Sequence, residues 1–132
     1  MPAWRQRGEL WTVGHAEPKG VVQFLGGSGL GASPQLSYKR LLEAISRRGW
    51  LVQCWSYLPS FDHQLLAVQA WQSFRAQRHS GLPVLRLGHS MGCKLHLLAH
   101  GLQLTQQRTA LIKLVLSKAN QQALPPVLLA AD

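Results

Sequence analysis

Along the chain, short apolar runs alternate with longer stretches whose apolar positions recur every three to five residues. Residues 9–14, Glu-Leu-Trp-Thr-Val-Gly, alternate polar and apolar and predict an edge strand. Residues 21–25 are mostly apolar, as in a parallel strand buried on both faces. They run into the glycine loop 26–31. Ser33 and Pro34 then offer an N-cap and a first-turn proline for a helix carrying Leu36, Leu41, Leu42 and Ile45 and ending at Gly49.

The pattern repeats. Residues 50–57 predict a second core strand, ended by Pro59. Asp62 caps a second helix with the apolar face Ala67, Ala70, Trp71 and Phe74, closed by Gly81. Residues 82–87 predict a third core strand, central in the sheet. Residues 94–100 predict a helix that stops near Gly101, and 111–116 a fourth core strand. The tail 123–132 is apolar without a clear period. Strand and helix in alternation predict an α/β fold: a mostly parallel sheet with flanking helices and right-handed crossovers, in one domain spanning 1–132.

Candidate chemistry falls where the third strand ends. Gly88-His89-Ser90-Met91-Gly92 has the spacing G-x-S-x-G, which places a serine on a sharp strand-to-helix turn. Glycine on either side avoids clashes that a Cβ would create. Ser90 then projects from the C-terminal edge of the sheet, where α/β proteins place ligands. A serine hydroxyl needs a base within hydrogen-bond reach to act as a nucleophile. Asp62 and His63 follow the strand 50–57 on the same edge, which makes His63 a candidate substitute base. The plainer reading makes Asp62 a helix N-cap and His63 a first-turn residue.

Other motifs carry less. His89 packs near the turn. His96 and His100 lie four apart on one helix, with no glutamate beside them for a zinc-protease pattern, so no metal is expected. Cys93 reads as a small core residue or a modest redox thiol. Residues 27–32 fit G-x-G-x-x-A, but the next strand ends without the acid that would hold a ribose. No cofactor is expected.

Composition narrows the partners. The net charge is +9, from 14 basic and 5 acidic residues among 132. The basic residues are scattered, adjacent only at Lys39-Arg40 and Arg47-Arg48, and none form a run interleaved with aromatics. Specific nucleic-acid binding is not expected. The apolar runs are too short to span a membrane. Arg5 and Arg7 precede no apolar segment of the secretory type. Two cysteines suit a reduced, cytoplasmic setting.

Four stretches, "FLGGSGLGASPQLSYKRLLE", "YLPSFDHQLLA", "LPVLRLGHSMGCKLHLL" and "LVLSKAN", carry a resemblance to the DUF1350 family of cyanobacteria and plant plastids. More broadly, the chain resembles the α/β-hydrolase superfamily. That resemblance implies a nucleophile at Ser90, one oxyanion donor at the Met91 N–H, and a second from the loop at Gly27 or Ser28. It also implies an acid and then a histidine later in the chain. The position after 111–116 reads Ser117-Lys118-Ala119-Asn120, and no histidine follows His100. The expectation is an incomplete, C-terminally shortened hydrolase fold. It would act slowly or not at all on a small acyl or ester compound. The alternative is a non-catalytic binding module or an inactive homologue. An open edge at 111–116 would invite a second copy or a partner that completes the sheet.

Overall fold

The computed structural model describes residues 3–15 and 17–117. Its strands are β1 (Arg5–Arg7), β2 (Leu10–Gly14), β3 (Gly20–Leu25), β4 (Trp50–Trp55) and β5 (Val84–Gly88). Its α-helices are α1 (Pro34–Ser37), α2 (Lys39–Arg47), α3 (His63–Ala76) and α4 (Met91–Ser117), with a 3-10 turn at Leu30–Ala32. The strands form one sheet in the order β1-β2-β4-β3-β5.

The class is α/β, but the sheet is mixed rather than mostly parallel. β4, β3 and β5 run parallel, whereas β1 pairs β2 and β2 pairs β4 antiparallel. The cause lies at the N-terminus. Gly8 takes a left-handed φ of 58° and folds Arg5–Arg7 back on Leu10–Gly14. The strand expected at the edge is therefore covered by a shorter, exposed one.

The larger departure is at the other end. No strand forms at 111–116, and no stop occurs at Gly101: α4 runs unbroken from Met91 to Ser117. An isolated glycine costs a helix only about 1 kcal/mol. Between Gly101 and Ala110 there is no proline to end it. A short apolar run such as 111–116 cannot by itself distinguish strand from helix. In consequence β5, predicted to be central, pairs among the described residues with β3 alone, and its Leu85 is 52% exposed. Among the described residues, the sheet edge expected at 111–116 is β5 instead. The tail 123–132 lies outside the described residues. No described helix is long and apolar enough to cross a membrane.

Core residues divide between the two sheet faces. One face packs Val13, Val22, Phe24, Val52 and Cys54 against Leu42 of α2. The other packs Leu10, Leu25 and Trp55 against Leu66, Ala67, Ala70 and Phe74 of α3 and Leu95 and Ala99 of α4. The predicted face of the second helix is thus the buried one. That of the first is buried only in part: Leu42 is in the core and Ile45 packs against it, but Leu36 and Leu41 are 71% and 50% exposed, while Glu43 and Ser46 are buried. Tyr38 breaks the predicted single helix into α1 and α2, which rotates the buried stripe. Glu43 is satisfied there, its Oε2 accepting the Trp4 indole N–H at 2.7 Å.

A polar line crosses this sheet. Thr12 on β2, Gln53 on β4, Gln23 on β3 and Arg86 on β5 are register partners in turn. By strand alternation they share the α3/α4 face with Leu10, Trp55 and Leu25.

Candidate functional site

Ser90 lies on the turn between β5 and α4 with φ at 55°, the one non-glycine residue with positive φ among those described. A serine there is sterically strained and persists only where its surroundings fix it. Two glycines show how. A Cβ on Gly88 would stand 2.7 Å from the Cys93 amide nitrogen. A Cβ on Gly92 would overlap the Leu25 carbonyl oxygen of β3. The helix thus begins in backbone-to-backbone contact with the neighbouring strand. The His89 N–H donates to the Leu25 carbonyl at 3.1 Å, and the Cys93 N–H to the Ser90 carbonyl at 3.0 Å. The chain has no freedom to relax the turn without parting β3 from α4.

The glycine loop after β3 faces this turn. A Cβ on Gly27 would lie 3.4 Å from that of Ser90. Two tyrosines hold the loop. Tyr57, buried after β4, donates its hydroxyl to the Gly26 carbonyl at 2.6 Å. The Gly27 N–H donates to the Tyr38 hydroxyl oxygen at 2.9 Å, and that oxygen is also 2.9 Å from Nδ1 of His89. Burial pushes the Tyr57 hydroxyl above its ordinary value, with the Ser28 side chain opposing and Tyr38 adding a smaller rise. Neither tyrosine was singled out by sequence. The available signal was scarcity: the chain has only two tyrosines, and both hydroxyls reach the same loop.

Among the described residues no protein acceptor takes the N–H of Ser28 or of Met91, whereas that of Gly27 is occupied. Ser90 and Ser28 are exposed.

The remaining candidates are held elsewhere. Asp62 accepts the Leu65 N–H at 3.0 Å and so caps α3. Nδ1 of His63 lies 2.8 Å from the Lys94 ammonium on α4. Lysine only donates, so Nδ1 accepts. Among the described residues, neither His63 nor His89 is hydrogen-bonded to Ser90. His96 is buried, stacked on Phe74, with Nε2 at 2.9 Å from the Leu87 carbonyl. Burial lowers its pKa, with the Leu87 carbonyl opposing and Arg86 adding to the fall. His100 is exposed, and with Arg86, Cys93 and Leu97 the two histidines line one shallow depression beside β5. Cys93 is exposed rather than a core residue; Cys54 is the buried thiol, its pKa raised by burial.

Residues 3–128 match the model of a family described as protein of unknown function (DUF1350). No curated protein matches. No solved structure matches either.

Proposed function

Starting from a chain that belongs to the DUF1350 family, we propose that Ser90 is the nucleophile of an acyl-transfer site of the α/β-hydrolase type, acting on a small ester or similar acyl compound. The observation that carries this reading is the left-handed φ of 55° at Ser90, on a strand-to-helix turn closed by Gly88 and Gly92. Strain of this kind has a use at a nucleophile, because it lifts the hydroxyl clear of the sheet edge.

In this reading Oγ of Ser90 loses its proton to a base and adds to the acyl carbon, the carbonyl oxygen turning into the free N–H groups. The C–O bond to the alcohol then breaks, the alcohol leaves with that proton, and water hydrolyses the acyl-serine. Met91 supplies one donor. Of Gly27 and Ser28, Ser28 is the better second donor, because the Gly27 N–H is already taken by Tyr38. The base that accepts the Ser90 proton is not among the residues hydrogen-bonded to it in the described part of the chain. Where triad partners are lacking, an oxyanion hole and binding alone still give roughly 10³–10⁴-fold over water. Turnover of short p-nitrophenyl esters is therefore expected to be slow.

A fluorophosphonate probe tests the proposal. Labelling should fall on Ser90 and vanish in Ser90→Ala. Labelling that survives this substitution removes Ser90 as the nucleophile. A second reading, a non-catalytic module for a small ligand or a protein partner, is favoured by one observation. Both histidines near the turn are committed elsewhere, His63 to Lys94 and His89 to Tyr38. A folded chain that takes no label on Ser90 supports that reading.

A further inference from the structure

The polar line on the α3/α4 face ends in a cleft of about 300 Å³. Gln23 and Arg86 form its floor, Trp71 and Phe74 line one wall, and Arg75 and Arg78 stand at its rim. The position of Gln23 and Arg86 is unusual. Each lies mid-strand, flanked on its own face by Val21 and Leu25 or by Val84 and Gly88. Gln23 is half-buried and Arg86 is exposed to the cleft, so both side chains can meet a ligand there. Arg86 is partly held, Nη2 donating to Oε1 of Gln103 at 2.8 Å, and Arg75 lies 5.5 Å over the Trp71 ring. Both contacts orient a guanidinium without neutralising it.

Among the described residues no carboxylate answers these charges. The chain has five acids: Glu9, Glu17, Glu43, Asp62 and Asp132. Glu43 is bonded to Trp4, and Asp62 caps α3. Among the described residues, none of the three arginines forms an ion pair. The charges that look scattered in sequence are thus gathered by the fold around an apolar, aromatic wall. A guanidinium presents a planar fork suited to carboxylate or phosphate, and the wall suits a hydrocarbon body. The volume is at the lower end of small-molecule sites, about 300–1,000 Å³.

We propose that this cleft is a binding site for a small amphiphilic anion, with a carboxylate or phosphate headgroup on the arginines and its apolar chain against Trp71 and Phe74. It is separate from the turn at Ser90, which lies beyond the C-terminal end of β5, and it does not depend on Ser90 being a nucleophile.

Calorimetric titration of the whole chain tests this with octanoate, octyl phosphate, octanol and inorganic phosphate as probes. The two amphiphilic anions should bind, and whichever binds more tightly identifies the headgroup. Octanol and inorganic phosphate should each bind at least about tenfold more weakly, since each lacks half of the recognition. Arg78→Gln and Arg86→Gln should each weaken octanoate or octyl phosphate about tenfold, whereas Arg40→Gln on α2 should not. Arg78 is exposed, so its replacement leaves the fold intact even where that of Arg86 disturbs the sheet. Octanol binding as tightly as octanoate, inorganic phosphate binding as tightly as octyl phosphate, or an unchanged affinity in Arg78→Gln would each overturn the proposal.

Discussion

Oη of Tyr38 lies 2.9 Å from Nδ1 of His89, so a residue on the α1–α2 junction touches the residue preceding Ser90. The same oxygen takes the buried Gly27 N–H. Tyr38→Phe removes both contacts and leaves that N–H without its acceptor. The expected cost is about 1–3 kcal/mol, read as a lower urea midpoint. If Ser28 contributes to catalysis, fluorophosphonate labelling of Ser90 should slow in the same variant, because the loop that carries Ser28 loses an anchor.

Two glycines on one helix should respond in opposite senses. Gly92→Ala drives a methyl into the Leu25 carbonyl and should cost at least about 3 kcal/mol or abolish folding. Gly101→Ala meets nothing within 4 Å and lies inside α4. It should stabilise by about 0.5–1 kcal/mol. Destabilisation by Gly101→Ala in thermal melts would mean that the helix ends there.

Ser90→Gly removes the side chain from a left-handed position. It should raise stability by about 1 kcal/mol while abolishing probe labelling. Ser90→Val, branched at Cβ, should lower stability at the same site. Denaturant midpoints of the three proteins check the order.

Burial holds the His96 pKa below its ordinary 6.5. The unfolded chain therefore binds a proton at this residue before the folded chain does. Stability from His96 is full above about pH 6.5–7 and is lost as pH falls from there toward the depressed folded value. His96→Gln should flatten the pH dependence of the urea midpoint across that window.

The two thiols should separate under an aromatic disulfide reagent. Cys93 is exposed and should react at once in the native protein. Cys54 is buried with its thiolate disfavoured, and should react only on unfolding. Two equal fast phases would contradict the placement of Cys54.

Strands β3, β4 and β5 and the turn at Ser90 were legible because each rests on local information: an apolar run, a glycine spacing, a cap. Asp62 read correctly as a cap for the same reason. What failed was non-local. The register that aligns Gln23, Gln53 and Arg86 depends on strand order, so three separate polar interruptions did not look like one line. The run 111–116 has the composition of a strand, and only its continuity with α4 makes it helix. Tyr38 belongs to a loop eleven residues earlier through a single hydroxyl, a contact with no period to reveal it.

The contact between Gly92 and the Leu25 carbonyl has a consequence for local opening. The start of a helix ordinarily frays, and its amides exchange with solvent far faster than the core. Here the His89 amide is bonded across to β3 and the next turn is seated on the same carbonyl. These amides are released only when β3 and β5 separate. The His89 N–H should therefore exchange as slowly as the centre of the sheet, and the geometry at Ser90 should survive until the whole domain unfolds.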